Sequence, residues 1–211
     1  MLQLYFSPTS PYVRKVMIAA SYLGIRDQVE LLPCNASPID RDRAITTFNP
    51  LAKVPSARTP DGLNLYDSRV ICEYLDSNME HKDGRHALFP AAGPARWVAL
   101  TQQALGDGLM DAALLARYES FLRPEEFRWA AWMDGQVAKI TDCLGEIETQ
   151  APTLGGVEKF TIGEITLACA LGYLDLRFDT MQWRAKCPQT AVWYENFAAL
   201  PFVASTAPPP A

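Results

Sequence analysis

The pattern of apolar residues changes near residue 80, and this change limits the folds that the chain can adopt. Before that point, short apolar alternations typical of strands alternate with segments of helical period. After it the 3.6-residue period dominates, with candidate helices at about 95–118, 124–149, 161–175 and 188–200. Residues 79–94 are polar and contain glycine and proline, as linkers do. The chain is therefore predicted to have an α/β domain over residues 1–78 and an all-α, helical-bundle domain over about 90–203.

The order of elements in the first domain indicates a thioredoxin-like fold. Residues 2–6 have the pattern of a strand, and Ser10 followed by proline marks the start of a helix that ends at Gly24. A second strand and a short polar helix follow, and then two strands joined by a turn at 59–62. A last helix starts around Asp67-Ser68. The resulting order, βαβαββα, is the thioredoxin-like arrangement.

The composition is that of an ordinary globular protein and excludes several partners. Of 211 residues, 49% are hydrophobic, and the formal net charge is −5, so we expect no nucleic-acid partner. No apolar run approaches the ~20 residues that span a bilayer, so no membrane partner is expected. Five widely spaced cysteines without a CxxC pair predict neither disulfides nor a metal site. Because reduced thiols are typical of the cytoplasm, we expect a cytoplasmic protein without a metal cofactor.

Ser10 is the residue whose position itself suggests chemistry. A serine at a helix N-cap lies at the positive end of the helix dipole, where a thiolate would gain a hydrogen bond and a favourable potential. A cysteine thiol has a pKa of about 8.5, and lowering it by ~2 units requires roughly 2.7 kcal/mol. One charge-assisted hydrogen bond and the dipole can supply most of that. Taken alone, a serine here is more often a purely structural cap.

Four segments in the same order resemble the soluble glutathione transferases. They are Ser-Pro-Tyr-Val-Arg-Lys-Val at 10–16, Asn-Pro-Leu-Ala-Lys-Val-Pro at 49–55, Tyr-Asp-Ser-Arg-Val-Ile at 66–71 and Thr-Ile-Gly-Glu-Ile-Thr-Leu-Ala at 161–168. The first segment places the chain nearer the serine-type bacterial, theta and zeta branches than the tyrosine-type ones. The resemblance implies a homodimeric detoxification enzyme that activates the glutathione thiol and adds it to a small, mostly apolar electrophile.

The resemblance also implies which residues bind glutathione. Val54-Pro55 resembles the family's cis-proline corner, where the backbone of Val54 would pair with the cysteinyl backbone of the ligand. Asp67 would accept from the γ-glutamyl ammonium group, while Ser68 and the helix start would meet its carboxylate. Lys53 would neutralise the glycyl carboxylate, although a solvated surface lysine fits the sequence nearly as well.

The resemblance implies Ser10 as the catalytic residue, and other hydroxyls remain alternatives. Tyr5 stands at or next to the position of the activating hydroxyl in tyrosine-type branches, but strand alternation favours a place in the core. Ser7 and Thr9 are close enough to share the role. Cysteine-type branches need a cysteine at position 10, and this chain has none there, which disfavours disulfide exchange by the protein.

The first helix of the second domain is expected to supply an electrophile pocket. The candidates on its apolar side are Leu109, Met110, Ala113, Leu114 and Tyr118. The same spacing is typical of core residues. Two other functions stay open at this point: a non-catalytic glutathione- or ligand-binding or adaptor protein of the same fold, and a glutathione-dependent peroxidase, isomerase or disulfide reductase.

Overall fold

A computed structural model describes residues 1–78, 85–156 and 158–209. The chain divides into two units, Met1–Ala91 with Pro201–Pro209, and Ala92–Leu200. The sequence predicts that the all-α domain extends to residue 203, whereas the structure groups the segment from Pro201 onward with the α/β unit. Residues 79–84, part of the predicted linker, lie outside the described residues.

The first unit contains a four-stranded sheet. Its elements are β1 (Leu2–Phe6), α1 (Pro11–Tyr22), β2 (Val29–Pro33), α2 (Arg43–Thr46), β3 (Ser56–Arg58), β4 (Asn64–Leu65) and α3 (Ser68–Asn78). The strand order is β2-β1-β3-β4, with β1 parallel to β2 and antiparallel to β3, and β3 antiparallel to β4. This confirms the predicted order βαβαββα and the mixed thioredoxin-like sheet.

Strand β1 and helix α1 supply much of the core of the first unit. Alternation in the strand buries Leu2 and Leu4, and the helical period buries Val13 and Val16. Full burial of such a side chain stabilises the fold by roughly 1.5–3 kcal/mol. The helix stops at the predicted Gly24, whose φ of +73° is a left-handed conformation that glycine adopts without steric cost.

The second unit is entirely helical over its described residues. Its α-helices are α4 (Gly93–Phe121), α5 (Ala130–Gln150), α6 (Ile162–Arg177), α7 (Trp183–Lys186) and α8 (Pro188–Ala198). The predicted start of α5 at about 124 is wrong, because the helix begins six residues later at Ala130. The chain at Pro124 is extended, and the Glu119 carboxylate accepts a hydrogen bond from the Trp129 N–H at 2.7 Å, which holds the connection open until Ala130. None of the described helices is long and apolar enough to cross a membrane.

Helix α6 begins in the capping box that its sequence predicts. The Thr161 hydroxyl accepts from the Gly163 N–H at 3.1 Å, and a Glu164 carboxylate oxygen accepts from the Thr161 N–H at 2.9 Å. Glycine at 163 permits close packing on α4, because a Cβ there would lie 2.6 Å from the Gln102 side-chain oxygen. The capped α6 is largely buried and packs most extensively on α4.

The C-terminal segment returns to the first unit as α9 (Pro201–Ala204), which packs on α1. The Phe202 and Tyr22 rings lie 5.3 Å apart between centroids, and Val203 is fully buried. Just beyond, the Arg14 guanidinium donates to the Thr206 hydroxyl at 3.4 Å. These apolar and polar contacts explain why this segment belongs to the α/β unit.

Candidate functional site

Ser10 caps α1 with the geometry that the sequence predicts. Its backbone is extended (φ −78°, ψ 120°), and its hydroxyl oxygen accepts from the Val13 N–H at 3.3 Å. Its own N–H donates to the Ser7 carbonyl at 3.1 Å. Because the oxygen is held as an acceptor, the hydroxyl proton can still be donated to an anion at the positive end of α1. Ser7 and Thr9 are half-buried in the same turn and remain alternatives.

Tyr5 belongs to the core of the first unit. It forms a buried cluster with Ile45 and Phe48, and its ring centroid lies 4.8 Å from that of Phe48. Such a pair stabilises the fold through the apolar surface that it buries and through the favourable tilted arrangement of its two rings. The strand-alternation prediction for Tyr5 is confirmed, and its packing favours a structural role over thiol activation.

The loop between α2 and β3 is held by Asn49, a residue that the sequence analysis did not single out. Its side chain is 2% exposed, and its amide nitrogen donates to the Lys53 carbonyl at 3.2 Å and to the Ser56 hydroxyl at 3.0 Å. Its amide oxygen accepts from the Leu51 N–H at 2.9 Å. The available signal was the Asn-Pro pair, which is typical of a turn. Asn49 therefore fixes the segment that leads into the proline corner.

The Val54–Pro55 peptide bond is cis, as the resemblance implied, and the Tyr66–Asp67 bond is cis as well. The Val54 side chain packs against the cluster around Tyr5. Within the part of the chain that the structure describes, neither the N–H nor the C=O of Val54 has a hydrogen-bond partner. This residue therefore offers a backbone donor and acceptor to an added strand. The nearby Lys53 side chain is exposed.

Asp67 caps α3 and is held as an anion. Its carboxylate accepts from the Arg69 N–H at 3.0 Å and from the Arg69 guanidinium at 2.8 Å. Burial raises the pKa of Asp67, but the hydrogen bonds and charge of Arg69, with the charge of Lys15, outweigh burial and leave the pKa below its usual value. Ser68, in the first turn, is only 1% exposed. The predicted acceptor for an ammonium group is thus charged, but it shares its oxygens with Arg69.

Among the described residues, the cysteines form no disulfide, and the cysteines and carboxylates form no group that could hold a metal ion. All five cysteines lie in the described ranges, and none forms a disulfide. The Cys34 thiol donates to the Phe6 carbonyl at 3.4 Å, and burial raises its pKa, so it stays protonated at neutral pH. Within the described ranges, no group of three or more His, Cys, Asp or Glu side chains could hold a metal ion.

The residues predicted for the electrophile pocket lie on α4. Leu109, Met110 and Ala113 are fully buried, whereas Tyr118 is half-buried and Leu114 is partly exposed. A substrate can reach only side chains that retain exposed surface. Tyr118 and Leu114 are therefore better placed than the other three candidates, and the assignment of the pocket stays a prediction.

Comparison with known proteins establishes the class of this one. Family models described as "Glutathione S-transferase, N-terminal domain" and "Glutathione S-transferase, C-terminal domain" match residues 9–78 and 130–196. The uncharacterized GST-like protein YibF of Escherichia coli is 31% identical over 212 residues, covering 100% of both chains. The chain therefore belongs to the glutathione S-transferase family.

Two solved structures are similar over nearly the whole chain. A glutathione transferase family member from Pseudomonas fluorescens Pf-5, solved with bound glutathione, is 42% identical with a TM-score of 0.91, covering 99% of this chain and 100% of that one. It was also solved with bound S-(propanoic acid)-glutathione, with a TM-score of 0.88. A glutathione S-transferase from Methylobacillus flagellatus KT, with glutathione bound, is 32% identical with a TM-score of 0.85, at 99% and 100% coverage. These likenesses confirm the two-domain fold; the serine-type branch stays a prediction.

Proposed function

We propose that this protein is an active glutathione transferase that adds the glutathione sulfur to a small electrophile with a largely apolar body. The observation that carries the proposal is the Ser10 hydroxyl, whose oxygen is held by the Val13 N–H while its proton has no acceptor among the described residues. The glutathione-bound structures of relatives support glutathione as the co-substrate. The thioether bound by the P. fluorescens relative is the kind of product that such an addition forms.

The other predicted site residues would bind glutathione along its length. The unpaired backbone groups of Val54 would pair with the cysteinyl residue, as an added strand pairs with an edge, and Pro55 would fix that corner. Asp67 would accept from the γ-glutamyl ammonium group, and Ser68 at the start of α3 would meet its carboxylate. The exposed Lys53 would neutralise the glycyl carboxylate.

The chemical role of the protein is to stabilise a thiolate before it attacks. The thiol loses its proton to solvent, and the Ser10 hydroxyl donates to the sulfur anion. The sulfur lone pair then forms the bond to the electrophilic carbon. With an aryl halide the halide leaves with the electron pair of its bond to carbon; with an unsaturated acceptor the π electrons move to the neighbouring atom, which takes a proton from solvent. A charge-assisted hydrogen bond contributes about 1.5–3 kcal/mol, and the dipole of a helix contributes about 0.3–1 kcal/mol. The sum matches the roughly 2.7 kcal/mol needed to lower the thiol pKa by ~2 units.

The test is substitution of Ser10 by alanine, assayed with glutathione and a general aryl halide across a pH series. We expect turnover to fall by on the order of 10²-fold and the pH profile to move to higher pH, while glutathione affinity changes little. Thr9→Val and Tyr5→Phe are the matched controls, since each removes one alternative hydroxyl. Parent-like turnover in Ser10→Ala, with a loss in either control, would contradict the assignment.

Binding and turnover separate this proposal from its alternatives. Retention on immobilised glutathione without conjugation of any aryl halide would favour a ligand-binding or adaptor protein. Activity on peroxides or disulfides alone would favour the other glutathione-dependent reactions. Light scattering after size exclusion tests the homodimer that the family implies.

A further inference from the structure

Arg14 is a buried cation near the start of α1 that none of the roles assigned above uses. It is only 9% exposed. Its backbone N–H donates to the Ser10 carbonyl at 3.0 Å, so the two residues lie one helical turn apart. Residues four apart share a helix face, with about 5–6 Å between their Cβ atoms, and helical side chains lean towards the N-terminus. The Arg14 side chain therefore starts on the face of α1 that carries Ser10.

The C-terminal segment of the first unit positions the Arg14 guanidinium. The Nε of Arg14 donates a long hydrogen bond to the Thr206 hydroxyl oxygen, at 3.4 Å. The Thr206 hydroxyl proton is itself donated to the Val203 carbonyl at 2.7 Å, so its oxygen is left to accept from Arg14. Burial of Val203 and the contact of Phe202 with Tyr22 anchor this segment on α1. The guanidinium is therefore placed by a neutral acceptor.

Arg14 has no counter-ion within the part of the chain that the structure describes. None of the acidic side chains there forms an ion pair with it. Neither α1 nor the segment that Thr206 belongs to contains an acidic residue. Helix α3 also packs on α1, but its Asp76 and the preceding Asp67 accept hydrogen bonds from other groups, and its Glu73 does not pair with Arg14. The neighbouring cation Lys15 acts on Asp67.

A buried charge without a counter-ion destabilises a folded protein. Arg14 is therefore expected to weaken the fold, and a role in the site one turn away would account for its presence.

We propose that the countercharge of Arg14 is the sulfur anion of glutathione, so that Arg14 supplies a second positive charge to the thiol site and Thr206 positions that charge. The inference rests on the proposed transferase function and deepens it. The Ser10 hydroxyl donates the hydrogen bond to sulfur, whereas Arg14 acts through its charge without contacting the sulfur. A nearby opposite charge favours the ionised form of an acid, and the attraction is stronger where water is excluded.

The experiment measures the pKa of the thiol of bound glutathione, from the ultraviolet absorbance of the thiolate across a pH series. Arg14→Met removes the charge and keeps a long apolar side chain. We expect the thiol pKa to rise by about 0.5–1 unit, which lowers the ratio of thiolate to thiol by roughly three- to tenfold. Arg14→Lys keeps the charge and should recover most of the effect. Arg26→Gln is the matched control: it removes a cation just beyond the other end of α1 and should leave the thiol pKa unchanged.

A measurement of stability distinguishes this role from a structural one. Because Arg14→Met takes an unpaired charge out of the protein interior, its urea midpoint should equal or exceed that of the parent protein. Arg14→Gln, which keeps a donor for Thr206, provides the same test of the thiol pKa if Arg14→Met does not fold. Thr206→Val tests the positioning: the thiol pKa should rise by a smaller amount than in Arg14→Met, whereas Thr206→Ser should keep the parent value.

The outcomes separate the two proposals. Failure to bind glutathione, or an ordinary pKa for the bound thiol in the parent protein, would overturn the proposed function itself. A lowered thiol pKa that is the same in the parent and in a folded Arg14→Met or Arg14→Gln protein would overturn the role of Arg14 and leave that of Ser10 intact. An equal rise in Arg26→Gln would also refute the assignment, because the effect would then not depend on the place of the charge.

Discussion

Replacing Thr161 with alanine should destabilise the helical unit without affecting chemistry. The change deletes the acceptor for the Gly163 N–H, at 3.1 Å, and the donor to the Glu164 carboxylate, at 2.7 Å. Glu164 would keep its bonds from the backbone N–H groups of residue 161 and of Gly155, so its carboxylate is not left unpaired. The loss is therefore that of one cap and not that of a buried charge.

The expected magnitude follows from the loss of the cap. Substituting a threonine N-cap by alanine costs about 1 kcal/mol, within a range of 0.5–2. Helix α6 is the most buried helix of its unit, and the freed N–H of Gly163 is inside the protein, so the upper half of that range applies. For a protein of this size, each 1 kcal/mol lowers the melting temperature by about 2–4 °C. We therefore expect a decrease of roughly 2–8 °C.

The assay is thermal and urea denaturation, with activity normalised to folded protein. Thr149→Ala is the matched control: its hydroxyl is exposed in α5 and donates to the Gly145 carbonyl at 3.0 Å, so its loss should change stability by less than about 0.5 kcal/mol. Thr161→Ser keeps the cap and should recover most of the stability. Equal midpoints for Thr161→Ala and Thr149→Ala would refute the reasoning and show that the capping box contributes nothing.

Three further predictions test the first unit and the junction of α5 with α8. Asp67→Asn and Ser68→Ala should each weaken glutathione binding in calorimetry by on the order of tenfold without lowering turnover at saturation, and unchanged affinity in both would mean that they only cap α3. Asn49→Ala should cost about 2–3 kcal/mol in urea denaturation, because it leaves buried groups unpaired, and a parent-like midpoint would contradict that role. Burial raises the pKa of Glu148, but hydrogen bonds from Thr190 and its neighbour outweigh this and hold it below its ordinary 4.5. The stabilisation that it provides is therefore present above that pH and lost as pH falls through the lower folded pKa. Glu148→Gln should therefore lose stability at neutral pH and progressively less as the pH falls below 4.5, and a loss that does not change with pH would refute the argument.

Local signals made part of the site predictable. The caps at Ser10 and Thr161 depend on bonds to groups two or three residues away, so their geometry follows from the sequence. The turn at 59–62 has the same local character, with Gly62 at a φ of +92°. The cis bond before Pro55 came from the family resemblance, because proline alone favours trans. Short-range chemistry therefore accounts for most of what the sequence predicted correctly.

Long-range packing accounts for the features that the sequence did not reveal. Phe202 reaches Tyr22 from the other end of the chain, and no local pattern indicates that contact. The start of α5 depends on the hydrogen bond that the Trp129 N–H donates to the Glu119 carboxylate, which lies ten residues earlier in the chain. Gly163 lies close to the Gln102 side chain only because α6 packs along α4. Each of these features depends on tertiary contacts, which periodicity and capping rules do not describe.

Ser10 both caps α1 and would activate the thiol, so the two effects of Ser10→Ala must be separated by their size. Losing the cap costs about 1 kcal/mol. A protein stable by 5–15 kcal/mol would still be more than about 99% folded after that loss, so unfolding alone would lower activity by less than about 1%. A loss of on the order of 10²-fold corresponds to roughly 2.7 kcal/mol of lost transition-state stabilisation. A decrease of that size in protein that remains folded therefore has to come from the hydrogen bond to sulfur and not from the weakened helix.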